Sequence, residues 1–586
     1  MNRVSENLRW LQCLWDLPVG AKFRFRHDLL MAICLLGILV TAPCIWSQAS
    51  FTDKDEYWLT FRTPLEMIER GDWLTPWLNG EPRLSKPPLL YWAILGTYKL
   101  VGVNLTAARL WGVVFGAGMA VCCILISREL FGGSGLGSGL IALSTIGIAI
   151  QGRLAMLDLP LALFTSLGIL SFLRWTRRGT WRDVLSSALF MGLSVLVKWP
   201  IGLLFFGAAA LARLWIFRQW HIIISRFPQV MTACVIFLAV CLPWPLLMMT
   251  QWPDFWNVIG QEIASRHPGA NPLSSLLPVL GGIFGLIFPW TPVLPAAMAD
   301  GLKTSNSDSN RENRWLVIWI LGSIIPLLFI RSFERYLTPL IPAACVLCAH
   351  WLETHQGTLY LRLIKLVLWL TVGLAVLCCV SFAWFKTGLP WVFVSVIPVA
   401  AMVRSALSSP DFRRTAGWVM VALFLLMGGL YPSIKSNVLP DHLASSLGGM
   451  PVVVYGTSQP AMLSMNLKRS VIPVGAHSST GHSLLQSFEG FVFMNQEDEV
   501  SFESMASRSG IRFQRMGQFQ VLISRGVKLG QEGAGWDRWK QCLEERSLKR
   551  LMTEIIYYRL SRKTFFSGDY PYEASELSPS PGTDPT

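Results

Sequence analysis

Residues 105–126 read LTAARLWGVVFGAGMAVCCILI. A predominantly apolar run of this length is what a helix needs to cross a bilayer, since each residue advances about 1.5 Å and the hydrocarbon core is about 30 Å thick. Comparable runs recur along most of the chain. Thirteen stretches qualify as spans: 29–47, 105–126, 136–151, 154–173, 184–198, 200–217, 229–250, 276–298, 315–330, 337–351, 363–385, 390–403 and 416–432. The composition agrees, with 52% of 586 residues hydrophobic, 15% charged and a mean hydropathy of +0.44. That balance excludes an ordinary soluble multidomain protein.

The net charge of +14 does not indicate nucleic-acid binding, because the basic residues lie in short segments between apolar runs. With the N-terminus in the cytoplasm, inner segments hold nearly twice as many Lys and Arg as Asp and Glu, and outer segments are near balance. Arg174, Arg177, Arg178 and Arg182 before the fifth span, and Arg218 and Arg226 before the seventh, are the clearest inner clusters. An odd number of spans then sends the C-terminus outside. Residues 1–28 form a polar cytoplasmic start with no removable signal peptide, so the first span is expected to be retained. Of the 12 cysteines most sit in spans, and no disulfide framework or Cys-type zinc site is expected.

After Pro432 the chain turns polar. Short strands are expected at 451–456, 471–474, 490–494 and 519–524, around a helix from 536 to 551. This gives a membrane domain over 29–432, a small outer (periplasmic) α/β domain over 433–565 and a disordered tail over 566–586, rich in Pro, Ser and acids.

Chemistry is sought where charge is costly or where loops are long. Asp158 stands at the outer end of the fourth span, where a carboxylate needs a partner or a task. It reads either as a functional acid or as a helix cap paired with Arg153. The first outer segment, 48–104, is far longer than a helix-to-helix turn. Its run Asp53-Lys54-Asp55-Glu56 supplies carboxylates able to take a proton from an acceptor or orient it, or else a solvated edge of the membrane. In Ser85-Lys86-Pro87-Pro88-Leu89-Leu90-Tyr91-Trp92 the prolines present Lys86 outside a helix, as a phosphate ligand or as a snorkelling interfacial lysine. Later outer loops add Glu262, Arg266 and His267, then Arg331, Glu334, Arg335 and Tyr336. All these clusters fall on one side, and cations beside carboxylates at one interface suit a lipid-linked phosphate substrate. A lipid or sugar transporter using the same outer cavity is the rival, although transporters more often place their polar site at the midplane. The glycines of 132–139 lack a P-loop ending, so no nucleotide site is expected.

Asp55-Glu56, Gly71-Asp72-Trp73-Leu74-Thr75-Pro76, Leu78-Asn79-Gly80, the Lys86 to Trp92 run and Gly152-Arg153-Leu154 with Leu157-Asp158 resemble the membrane-embedded GT-C glycosyltransferases that use polyprenyl-phosphate sugars. Among these, the bacterial 4-amino-4-deoxy-L-arabinose transferases of lipid A are more similar and the protein O-mannosyltransferases more distant. Glu262 with Arg266, Pro289-Trp290 and Arg335-Tyr336-Leu337 add to the likeness. The resemblance implies about thirteen membrane helices and an outer C-terminal domain in a bacterial inner membrane. It also implies direct sugar transfer, hexosyl or pentosyl, from a polyprenyl phosphate to a lipid, glycan or protein acceptor at the outer face. By the same resemblance Asp55 and Asp158 are the catalytic acids, with Glu56 the alternative holder of the first place. It makes Lys86 the phosphate-binding lysine, and Arg266, Arg335 and Tyr336 are expected beside it at the donor phosphate. Arabinose transferases of this kind place an acid before the lysine and use it, with a histidine, to hold a metal. Here that position is Ser85, so no metal residue is assigned and a divalent cation stays an open alternative.

Overall fold

The computed structural model describes residues 26–265, 275–303, 307–456, 462–476, 479–525, 528–530 and 535–561. The membrane part is built from α1 (Arg26–Thr41), α2 (Arg62–Arg70), α3 (Leu89–Val101), α4 (Leu105–Phe131), α5 (Leu136–Leu143), α6 (Ile146–Gln151), α7 (Asp158–Arg178), α8 (Trp181–Val197) and α9 (Ile201–Ile216). It continues through α10 (Phe227–Cys241), α11 (Pro243–Gln251), α12 (Phe255–Ala264), α13 (Leu276–Leu286), α14 (Val293–Gly301), α15 (Asp308–Leu327), α16 (Ile341–Thr354), α17 (Thr358–Trp384), α18 (Leu389–Leu407) and α19 (Phe412–Leu425). One continuous apolar core runs through the helices from α1 to α9 and from α13 to α19, and α10 to α12 contribute to a separate, smaller cluster.

Among the described residues, six helical segments are long and apolar enough to cross a membrane, or seven if the bent pair α10–α11 counts as one span. The thirteen apolar stretches are therefore not thirteen uninterrupted helices. Residues 136–151 form two short helices, α5 and α6, separated at Ser144 and Thr145, whose hydroxyls bond to carbonyls of the preceding turn. Residues 276–298 split into α13 and α14 around Pro289, and 229–250 bends by 41° before Pro243. Proline removes a backbone donor and clashes with the preceding turn, so an apolar run containing it reads as one span while folding as two pieces.

The α4 helix starts at Asn104, whose side chain accepts from Ala107 N at 2.8 Å, as an N-cap does. It packs closely on the turn that leads into α7. A Cβ on Gly112 of α4 would stand 2.4 Å from the Leu154 carbonyl oxygen, so only glycine allows this approach. The α7 helix runs from Asp158 to a left-handed Gly179, and places Asp158 at one end and Arg174 to Arg178 at the other.

The first long loop carries a two-residue hairpin, β1 (Trp77–Leu78) with β2 (Glu81–Pro82). Towards the C-terminus, β3 (Val452–Tyr455), β4 (Ile472–Val474), β5 (Gly490–Asn495), β6 (Arg512–Val521) and β7 (Thr553–Ser561) form a sheet of order β4-β3-β5-β7-β6. Its first two pairings are parallel and the last two antiparallel. Alternate residues bury on opposite faces. Val452, Val454, Phe491 and Phe493 meet helical Leu443 and Leu463, while Val453, Tyr455, Val492 and Met494 meet Phe502 and Ala506. Strands lie at or near the first three expected positions. The fourth begins earlier, at Arg512, and the strand Thr553–Ser561 and the helix Glu499–Arg508 were not anticipated. The expected helix over 536–551 is shorter, Trp536–Glu545, followed by a 3-10 turn. The described cysteines are all free thiols. The stretches 1–25 and 562–586, including the expected tail, lie outside the described residues.

Candidate functional site

The site grows from a buried ion pair that the sequence reading did not contain. Arg109, one turn into α4, is fully buried and donates to both carboxylate oxygens of Glu56, from Nε and Nη2, at 2.9 Å each. The same carboxylate accepts from Ala155 N at 2.9 Å and from the Thr52 hydroxyl. Arg109 Nη1 also reaches the carbonyls of Ile45 and Ser47, at 3.2 and 3.1 Å. Glu56 thus fastens the start of the first outer loop to α4 and to the turn before α7, and both partners have 0% exposed side chains. With its oxygens engaged in this way, Glu56 serves as a staple, and the carboxylate beside it is the one in the open.

Asp55 is 36% exposed at its side chain and receives an ion pair from Arg335 Nη2. Arg335 leads the 3-10 turn Glu334–Leu340 before α16, and is contacted by three acids from two separated parts of the chain. Besides Asp55, Asp53 Oδ2 lies 3.7 Å from Nη1 and Asp158 Oδ2 lies 3.4 Å from Nε. Asp158 is 3% exposed and its other oxygen accepts from Lys198 Nζ at 2.6 Å. Lys198 closes α8, and its ammonium stands 4.1 Å from the centroid of the buried Tyr336 ring. Burial pushes the Asp53 carboxyl up, assisted by Asp55 and Glu56, while Arg335 and the Asp55 amide pull it down. The bland pairing of Asp158 with Arg153 is not formed. Arg153 instead donates to the carbonyls of Ala149, Pro43 and Val40 at 2.7, 3.1 and 3.2 Å, and locks α1 to α6.

Lys86 donates to Glu262 Oε1 at 2.6 Å. Its loop is part of the same wall as Lys198. Leu84, Leu89 and Trp92 pack with Leu196 and Trp199, and with Trp244 and Phe255 of α11 and α12, in one apolar cluster. Across it, Arg83 Nη1 donates to the Tyr91 hydroxyl at 2.8 Å. Burial pushes the Tyr91 phenol up; Arg83 opposes this and the Asp55 carboxylate adds to it. The structure therefore gathers Asp55, Asp158, Lys86, Arg335 and Tyr336 at one end of the helices. Glu56 is close by but engaged elsewhere, Arg331 and Glu334 face outward, and Arg266 and His267 lie outside the described residues.

Lys198 and Arg109 are the additions, and Asp53, read in the sequence only as part of the acidic run, joins Asp55 at Arg335. Lys198 carries part of the signal that marked Lys86, a lysine shortly before a proline, here Pro200. Arg109 carries the signal that marked Asp158, a charge within an apolar run. Among the described residues no group of three His, Cys, Asp or Glu side chains is gathered as a metal site. Glu262 is committed to Lys86, and Ser85 offers no carboxylate, so the described residues beside Lys86 do not fit a divalent ion.

Residues 24–259 match the family model described as "Dolichyl-phosphate-mannose-protein mannosyltransferase". An undecaprenyl phosphate-alpha-4-amino-4-deoxy-L-arabinose arabinosyl transferase of Pseudomonas fluorescens is 25% identical over 576 residues, covering 92% of this chain and 98% of that protein. Its counterpart in Serratia proteamaculans is 24% identical over 441 residues, 69% of this chain and 78% of that protein. The crystal structure of ArnT from Cupriavidus metallidurans bound to undecaprenyl phosphate superposes with a TM-score of 0.67 at 17% identity, covering 90% of this chain and 97% of that one. In sequence and in fold alike, the chain is similar to the membrane-embedded GT-C glycosyltransferases that use polyprenyl-phosphate sugars.

Proposed function

We infer that the protein is an integral membrane glycosyltransferase that moves a sugar from a polyprenyl phosphate to a lipid, glycan or protein acceptor at the outer membrane face. The observation that carries this reading is the convergence of Asp53, Asp55 and Asp158 on Arg335, beside the wall that holds Lys86. The apolar stretches, broken ones included, make thirteen passes in a bacterial inner membrane. The N-terminus is then cytoplasmic, residues 433–565 form the periplasmic α/β domain, and 566–586 follow as a tail.

In the reaction the bond between sugar C1 and the carrier phosphate oxygen breaks, its electron pair stays on the phosphate, and the acceptor oxygen bonds to C1. The developing phosphate charge is met by Lys86, which exchanges Glu262 for the donor, and by Arg335. Arg335 Nε is buried without a hydrogen bond, its Asp158 neighbour standing at 3.4 Å, so this guanidinium has a donor to offer a substrate oxygen. Lys198, stacked on the Tyr336 ring, fixes Asp158, and Tyr336 and Arg266 belong to the same phosphate-binding set. An acceptor hydroxyl passes its proton to Asp55; an acceptor phosphate, already ionised, needs only orientation by it. Positioning of donor and acceptor against each other supplies the rest.

The test incubates purified protein with pentosyl and hexosyl polyprenyl phosphates and an outer-leaflet lipid extract, followed by mass spectrometry. Release of polyprenyl phosphate together with a sugar-bearing product is expected. Movement of a donor across vesicles without a new glycosidic bond would overturn the reading in favour of a transporter.

A further inference from the structure

The helix Trp536–Glu545 has no part in the acid cluster, yet it is seated on the end of a membrane helix. That seat is α17, one of the six segments long and apolar enough to cross a bilayer. Leu377, Val380 and Trp384 recur at helical spacing along α17 and are all exposed, so they form a stripe turned to lipid. Trp384 ends both the stripe and the helix, just before the chain turns polar at Lys386 and Thr387. Its indole Nε1 donates to the Leu543 carbonyl at 2.9 Å, and the Arg546 guanidinium covers its ring at 4.5 Å. The helix Trp536–Glu545 therefore stands over the lipid-facing side of α17.

Along this helix Trp536, Trp539, Lys540 and Leu543 follow at spacings of three and four, which places them on one face. Asp537, Gln541, Glu544 and Glu545 occupy the other side. Trp539 shares an apolar cluster with Phe385, the residue after α17, and with Ile434. Trp536, one turn earlier on the same stripe, is 75% exposed, and Lys540 and Leu543 are exposed with it. A tryptophan that continues the contact with a membrane helix and then stands open is placed as an interfacial anchor, its ring at headgroup depth. A lysine beside it can lay its stem on apolar surface and bring its ammonium to lipid phosphate.

We propose that the helix Trp536–Glu545 lies in the headgroup layer of the bilayer beside α17, with Trp536 and Leu543 at the acyl boundary and Lys540 at lipid phosphates. It thereby ties the C-terminal sheet to the membrane surface, as an amphipathic helix lying in the interface does. This docking needs the chain to be in a bilayer and does not depend on sugar transfer.

The test uses the full chain in vesicles of phosphatidylethanolamine and phosphatidylglycerol, carrying the photoreactive substitution Trp536→p-benzoylphenylalanine or, as control, Val500→p-benzoylphenylalanine. Both positions are exposed, so neither substitution touches packing. Val500 belongs to the helix Glu499–Arg508, whose Phe502 covers the sheet face opposite the one that holds Leu463. The Leu463 face is the near one, since Met465 of the same helix meets the Tyr98 hydroxyl of α3. After irradiation, intact-protein mass spectrometry reads lipid adducts. The yield at 536 is expected to exceed that at 500 at least tenfold. A yield at 536 less than tenfold above that at 500 overturns the proposal, as does cross-linking of 536 to a second copy of the chain in place of lipid.

Discussion

Asp55 and Glu56 are adjacent in sequence, yet the structure gives them opposite environments, and their amide variants should fail in opposite ways. The Glu56–Arg109 pair is fully buried on both sides. Glu56→Gln puts an NH2 where an oxygen now accepts, and leaves a buried guanidinium without its counter-charge. Breaking one side of such a pair costs about 3–5 kcal/mol. Removing both charges, in E56Q/R109M, should return part of that loss. Asp55 is 36% exposed, and its ion pair with Arg335 is screened by solvent, so Asp55→Asn should change stability by no more than about 1 kcal/mol. If Asp55 accepts the proton of a hydroxyl acceptor, transfer should fall about 10²–10⁴-fold in that variant. The assay pairs thermal unfolding of purified protein in one detergent with mass-spectrometric product formation. A stable E56Q that has lost transfer, beside an active D55N, would refute this assignment and give the acid's place to Glu56.

Lys198→Met should lower transfer by at least tenfold with the protein still inserted, and Lys198→Arg should restore part of it, because Asp158 needs a cation at its second oxygen. Unchanged kinetics in K198M would remove Lys198 from the site. Gly112→Val should lower the unfolding midpoint by several degrees, since its Cβ meets the Leu154 carbonyl at 2.4 Å; an unchanged midpoint would mean that this contact is not as close as described. Asp53 supplies a pH test. Its carboxyl is raised above the unfolded value by burial, so its stabilising contribution is full below the ordinary carboxylate pKa of 3.8 and is lost as pH rises through the raised value. Asp53→Asn, which does not titrate, should therefore gain stability relative to the parent as pH rises from about 4 to 7, followed by thermal unfolding across that range. A gap that does not change with pH would contradict the shift.

The sequence made some of this legible and hid the rest for physical reasons. Apolar length identified the membrane class, because burial in lipid constrains every residue of a span. It could not separate one unbroken helix from a run folded as two short pieces, as at 136–151, because a protein interior and a bilayer select the same side chains. The Asp53 to Glu56 run was visible as a cluster, but consecutive residues on a turn point in different directions, and only the position of Arg109 decides which acid is engaged. Lys198 was hidden because a span edge commonly ends in lysine. Asp158 stood out because a carboxylate in an apolar stretch is costly, and the structure supplies its partners, Lys198 and Arg335.

If Lys86 meets the donor phosphate at the site where these acids gather, its ammonium is needed for transfer. Sugar transfer from a polyprenyl phosphate by purified Lys86→Ala, measured by mass spectrometry at matched protein in the membrane, tests it most directly. Loss of both product and released carrier phosphate, with unfolding behaviour like that of the parent, is the predicted result. Near-normal turnover in that variant would contradict the claim.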